Sequence, residues 1–191
     1  MTDGSTFTLW VIDAGLTYFI NSFGGQNSIA DAMMKFISFF GIPAMVLAVA
    51  CQWWSRNNRQ HTRFVALSAG LAFVVALSLN QIILLVVQRV RPYDVGVTHL
   101  LVAPSGDPSF PSDHASAAFA IAFAFLFCGR LQQGFVFAVC ATFVAVSRVY
   151  VGAHYVGDVL GGAMTACFAS LAVFMAYREY GWINQRLVSL L

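Results

Sequence analysis

Charge is what this chain has least of. Only 9% of its 191 residues are charged, 59% are hydrophobic, and the mean hydropathy is +0.75. Soluble domains carry roughly a quarter charged residues, so a water-soluble fold is excluded and an integral membrane protein is expected. The net charge of +2 arises without any basic run, which removes nucleic acid from the candidate partners. Cysteine is scarce too. Cys51, Cys128, Cys140 and Cys167 lie within or beside apolar stretches, and none forms a CxxC pair. That pattern offers neither a disulfide framework nor a zinc site; the four read as small packing residues. No repeat, low-complexity segment or linker breaks the chain, so residues 1–191 are expected to form one membrane-embedded domain. A signal peptide's basic n-region and clean apolar core are also missing. Asp3 and Asp13 stand there instead, and the first span is expected to serve as an uncleaved signal.

What the chain has in abundance is apolar sequence. Runs at 36–54, 64–87, 115–128, 135–146 and 159–177 predict an all-α, polytopic membrane helix bundle with five transmembrane helices. A span needs roughly 20 residues. The third and fourth runs are shorter, so their helices are expected to extend through flanking polar residues. That places Ser112, Asp113 and His114 at the start of the third span and Ser147 and Arg148 at the end of the fourth. Residues 8–23 are apolar but interrupted by Asp13, Asn21 and Ser22. They read as an N-terminal amphipathic helix at the interface or bundle edge, with a sixth, tilted span as the alternative. Gly24-Gly25-Gln26-Asn27 is a turn signal.

Basic residues set the expected orientation. Arg56, Arg59, His61 and Arg63 follow the first span, Arg130 follows the third, and Arg178 and Arg186 follow the last. Five spans put all of them on one side, which the positive-inside rule makes cytoplasmic. Four polar islands then meet on the other side: Arg91-Pro92, Pro111-Ser112-Asp113-His114, Ser147-Arg148, and His154 with Asp158. The loop at 88–112, rich in glycine and proline, is expected to cap them irregularly.

Charged groups beside a bilayer are costly and read as a functional site. Arg91 and Arg148 carry guanidinium forks that suit phosphate. A snorkelling interfacial arginine is the plain alternative for Arg91, and the better reading of Arg89. Ser112 caps a helix, and the free N–H groups there, with its hydroxyl, make an anion cradle. His114 sits where it can protonate a leaving oxygen. His154 and Asp158, four apart, share a helix face. A carboxylate on one ring nitrogen leaves the other free to attack; a purely structural His–Asp bond is the alternative.

The array Arg91-Pro92, Pro111-Ser112-x-His114 and Ser147-Arg148-x5-His154-x3-Asp158 resembles the three-part signature of the type 2 phosphatidic acid phosphatase superfamily of membrane lipid phosphatases. The resemblance covers about 80–162. It implies a nucleophilic His154 that forms a phosphohistidine, an orienting Asp158 and a general acid at His114. It implies Arg91, Ser112 and Arg148 as phosphate ligands, with Ser147 and Asp113 beside them. No metal or other cofactor is expected, because arginines and N–H dipoles supply the charge stabilisation. Two positions depart from the pattern. Leu84 stands where the family usually has lysine, which leaves Arg89, Gln88 or Asn80 as possible auxiliary ligands. Asp113 stands where glycine is usual. The string Ser109-Phe110-Pro111-Ser112-Asp113-His114-Ala115, with Asn80-Gln81 and Ile20-Asn21, is similar to the undecaprenyl pyrophosphate phosphatases of the bacitracin-resistance type.

The implied protein acts in the bacterial inner membrane with its site facing outward. Its partners are the bilayer and an isoprenyl pyrophosphate lipid, which it dephosphorylates. Three rivals stand beside this reading. One is a phosphatase for phosphatidylglycerol phosphate, phosphatidic acid or lipid A. Another is a phosphoryl transferase, and the third is a non-catalytic anion-binding or transport protein.

Overall fold

The computed structural model describes residues 4–56 and 58–179, with side chains for 8–56 and 58–177. Six α-helices account for most of them: α1 (Gly4–Asn21), α2 (Ser28–Cys51), α3 (Arg59–Val86), α4 (Asp113–Phe127), α5 (Leu131–Tyr150) and α6 (Val156–Glu179). No strand occurs among the described residues. Four helices, α2, α3, α5 and α6, are long and apolar enough to cross a membrane, and α4 is a shorter apolar helix. The expected five-helix membrane bundle is therefore observed, and the chain is a multi-pass membrane protein.

The helices outrun their apolar cores because capping chemistry, not hydropathy, sets the ends. α2 begins at Ser28 because the Asn27 side chain accepts hydrogen bonds from the N–H groups of Ile29 and Ala30. α5 gains a turn at each end and reaches 20 residues, as expected from the flanking islands. α4 does not reach full length. It stops at 15 residues, about 22 Å, against a hydrocarbon core of about 30 Å. Ser112 caps its start, and a left-handed Gly129 (φ +79°) turns the chain sharply into α5. The missing depth is filled by the irregular segment 87–112, folded over the end of α4. Non-helical backbone is tolerated at such a level only when protein covers it.

Alanine lets α4 occupy the centre. Ala115, Ala117, Ala118, Ala120, Ala122 and Ala124 are each at most 2% exposed, and α4 packs against α3, α5 and α6. Small side chains allow backbones to approach closely, which drives helix association in lipid. Around them Val65, Ile121, Phe125, Phe137 and Val144 form the main core. Phe36, Phe39, Leu85, Phe135 and Phe168 face outward, as lipid contact requires.

The two ends of the bundle differ as the arginine count predicts. Arg56, Arg59, Arg63 and Arg130 gather at one end. There Arg130 donates to Thr62 Oγ1 at 2.8 Å, and the Arg63 guanidinium lies 4.7 Å above the Trp53 ring. Arg186 and the side chain of Arg178 lie outside the described residues. All four polar islands occupy the opposite end.

α1 does not behave as a sixth span. Asp13 Oδ1 and Thr17 Oγ1 accept hydrogen bonds from the N–H groups of Gly157 and Val156, at the start of α6. Two turns further on, Asn21 donates to the Tyr150 and His99 carbonyls, at the end of α5 and in the long loop. A helix descending through the bilayer would separate Asp13 and Asn21 by about 12 Å in depth. Their partners belong to the same end of the bundle, so α1 lies across it. Its polar stripe points inward, while Leu9, Trp10, Ile12, Leu16 and Phe19 are exposed.

Candidate active site

A cavity of about 130 Å³ opens beneath the long loop at the polar end. It is lined by Arg91 and Asp107 of the loop, His114 at the start of α4, Arg148 near the end of α5, and His154 in the link to α6. Leu84, Asp113, Ser105, Pro108 and Pro111 also line it. Residues from Leu84 to His154 thus share one pocket because α4 begins and α5 ends at the same end of the bundle.

His154 is held from both sides. Its Nδ1 lies 2.8 Å from the Ser109 carbonyl oxygen. A carbonyl only accepts, so Nδ1 carries the proton and Nε2 faces the cavity. Arg91 Nη1 is 3.4 Å from Nε2. The link around His154 depends on Gly152, whose φ of +81° suits glycine. A Cβ there would meet the His99 carbonyl at 2.5 Å. Burial pushes the His154 imidazole below the ordinary histidine value, and Arg148 and Arg91 act the same way; Asp158 opposes them. The neutral, nucleophilic form is thereby favoured.

Asp158 stands differently from the expectation. Its Oδ2 is 3.6 Å from His154 Nδ1, beyond a good hydrogen bond. That oxygen instead accepts from Ser109 Oγ at 2.5 Å and from the Tyr155 N–H at 2.8 Å. Oδ1 accepts from Arg89 Nη1 at 2.8 Å. As the third residue of α6, Asp158 reaches back to the residue before the helix, as the carboxylate of a capping box does. Through Ser109 it also connects to the ring, since the Ser109 hydroxyl donates to Asp158 and the Ser109 carbonyl accepts from Nδ1.

The arginines are anchored rather than snorkelling. Arg91 is 7% exposed, donating through Nε to the Asp107 carbonyl at 2.8 Å and through Nη1 to the Ala153 carbonyl at 3.0 Å. Arg148 Nη1 donates to Ser38 Oγ of α2 at 2.5 Å, while its buried Nε makes no hydrogen bond.

Other residues singled out in the sequence lie outside the cavity wall and have structural partners. Ser112 caps α4 by accepting from the Ala115 N–H at 3.5 Å, and its own N–H donates to the Asp158 carbonyl. Ser147 is fully buried and donates to the Val144 carbonyl one turn back. Gln88 donates to the Leu84 carbonyl. Arg89 turns away to Asp13 and Asp158. Asn80, fully buried, donates to Asp113 Oδ1 at 2.7 Å and Ser116 Oγ at 2.8 Å, and Gln81 reaches Asp113 Oδ2 at 3.4 Å. Asn80-Gln81 and Asp113 therefore form one structural unit that ties α3 to the start of α4. None of these auxiliaries lines the cavity that Leu84 lines. Sequence reasoning missed Ser109, Asp107 and Ser38, because each acts through a carbonyl or a lone hydroxyl that carries no pattern. No group of three or more His, Cys, Asp or Glu with metal-binding geometry occurs among the described residues.

Fold and site together define a multi-pass helical membrane protein with a pocket that two arginines and two histidines share. The chain belongs to the PAP2 superfamily, whose sequence pattern matches residues 65–182. It is a membrane lipid phosphatase. It is 34% identical over 155 residues to the undecaprenyl-diphosphatase BcrC of Bacillus subtilis, covering 81% of this chain and 79% of the relative. It is 29% identical to a Bacillus licheniformis protein named bacitracin transport permease protein BcrC, over 88% of this chain and 82% of that one. The fold is similar to the crystal structure of a transmembrane PAP2 type phosphatidylglycerolphosphate phosphatase from Bacillus subtilis. That match has a TM-score of 0.66 and 23% identity, over 91% of this chain and 88% of that one.

Proposed function

We propose that this phosphatase removes the terminal phosphate of undecaprenyl pyrophosphate at the outer face of a bacterial inner membrane. One observation carries the reading: His154, with Nδ1–H committed to the Ser109 carbonyl, aims Nε2 into the pocket that Arg91, Arg148 and His114 share. The pyrophosphate enters this pocket while the isoprenoid stays in the apolar phase. The Arg91 and Arg148 guanidiniums hold the non-bridging oxygens and stabilise charge that builds in the transition state. Nε2 attacks the terminal phosphorus, and the bond to the bridging oxygen breaks as the P–N bond forms. His114 delivers a proton to that oxygen, and undecaprenyl phosphate leaves. A water then gives its proton back to His114 and attacks the phosphohistidine, releasing inorganic phosphate and freeing His154.

Several features favour the pyrophosphate lipid over a glycerophospholipid monoester. The Asp113 unit with Asn80-Gln81 is similar to the bacitracin-resistance branch, and the undecaprenyl-diphosphatase BcrC of Bacillus subtilis matches most of this chain. The arginines at the opposite end support the outer-face assignment.

Phosphate release from purified protein, measured on an isoprenyl pyrophosphate, phosphatidylglycerol phosphate, phosphatidic acid and lipid A, tests the assignment. Turnover should be fastest on the isoprenyl pyrophosphate. The His154→Ala variant should lose activity by about 10³-fold or more and yield no acid-labile phosphoprotein. Preference for a glycerophospholipid would overturn the substrate; near-normal activity of His154→Ala would overturn the nucleophile.

A further inference from the structure

Among the described residues Arg89 is the one arginine at the polar end that does not line the pocket, and Asp13 comes from a helix outside the family's signature. We infer that Asp13 and Arg89 are positioning residues for catalysis: through Asp158 and Ser109 they fix the His154 ring, which makes α1 part of the catalytic apparatus. The inference rests on His154 being the nucleophile.

The contacts form a continuous chain. Asp158 is fully buried, and a buried carboxylate needs a paired charge. Arg89 provides it at 2.8 Å, so the carboxylate is free to hold Ser109 rather than to capture the imidazolium proton. Arg89 is itself clamped. Its Nη2 meets Asp13 Oδ2 at 2.6 Å, and its guanidinium stacks 3.8 Å from the centre of the Tyr155 ring. The side chain is only 24% exposed, unlike a snorkelling arginine. Asp13 is anchored in turn by the Gly157 N–H at 2.8 Å. A Cβ at Gly157 would meet Asp13 Oδ2 at 2.7 Å and Arg89 Nη1 at 3.3 Å, so glycine there leaves room for the pair. Thr17 secures the next N–H. Moving α1 therefore moves Arg89, Asp158, Ser109 and finally the ring.

The consequence is electrostatic as well as geometric. His154 faces Arg91 from the loop, His114 from α4, Arg148 from α5 and Asp158 from α6; α1 contributes only through Arg89. Arg89 partly cancels the field of Asp158. Without it the carboxylate acts on His154 undiminished and favours the protonated, non-nucleophilic ring. The acid limb of the rate profile then moves to higher pH.

The test uses the full chain in lipid nanodiscs, with an isoprenyl pyrophosphate, comparing Arg89→Gln, Arg89→Lys and Asp13→Asn across pH. Arg89→Gln should lower kcat by about tenfold or more with KM within about twofold, and raise the acid limb by about one pH unit. Arg89→Lys, which keeps the charge, should restore the limb. Asp13→Asn should lower kcat about threefold, since its amide oxygen can still accept from the Gly157 N–H while the charge and the acceptor for Arg89 Nη2 are lost. Unchanged kcat and an unmoved limb in folded Arg89→Gln would overturn the inference. If Arg89→Gln does not fold, Asp13→Asn decides: a kcat loss supports the inference, and wild-type kcat overturns it. Turnover by His154→Ala would overturn the nucleophile reading instead, whatever these variants do.

Discussion

The two ends of the bundle carry similar residues in opposite conditions. At the site end Asp158, Asn80, Ser109 and Ser112 are completely buried, and each has a named partner. At the basic end Arg56 and Arg59 are exposed. A lipid-facing cavity of about 420 Å³ there is walled almost wholly by apolar residues such as Val46, Val49, Phe73 and Ile121. Charge alone does not separate a catalytic end from an orienting one. What separates them is what the fixed charges share: Arg91 and Arg148 line one cavity with His114 and His154, whereas buried Arg63 stacks on Trp53 and Arg130 donates to Thr62. An exposed arginine answers to the membrane potential and to lipid head groups; Arg91 and Arg148 instead face a shared cavity.

Substitutions should break this comparison unequally. Arg148→Gln should have the largest effect, cutting kcat/KM about 10²-fold or more by removing a fixed guanidinium from the pocket. Steady-state phosphate release measures it, and a loss under threefold would put Arg148 outside the phosphate site. Leu84→Lys should sharpen the contrast in the other direction. Leu84 lines the pocket, so an amine there adds a cation and should lower KM about three- to tenfold with kcat little changed. An unchanged KM would mean that the usual lysine position does not face the phosphate here. Arg59→Gln, at the basic end, should leave kcat/KM within about twofold, since exposed single charges contribute little. A loss rivalling that of Arg148→Gln would erase the distinction between the ends.

Much of this was legible in the chain before folding. Hydropathy fixes which segments cross the bilayer, because every span must bury some 20 residues in lipid. The arginine positions sort the loops, and the islands then have one end to share. Three features were not legible. The length of α4 depends on Ser112 and Gly129 acting as stops, which outweighs the demand for a full span. Asp158 was expected on His154 because the two stand four apart, yet the start of α6 and Ser109 claim its oxygens first. The placement of α1 rests on contacts such as Asp13 with Gly157, 144 positions away. Its only trace in the sequence is Asp13, Thr17 and Asn21, spaced every fourth residue in an apolar helix. That is a polar stripe too narrow to tell inward from outward.

Arg148 keeps its Nε buried and without a hydrogen bond, next to a pocket that Arg91 also lines. Folding therefore confines like charges that unfolding would disperse. An anion seated between them binds only the native chain and acts as a folding ligand. A ligand at a hundred times its Kd adds about 2.7 kcal/mol to native stability. Under the proposed function, substrate or released phosphate seated there would add to the stability of the folded bundle between turnovers.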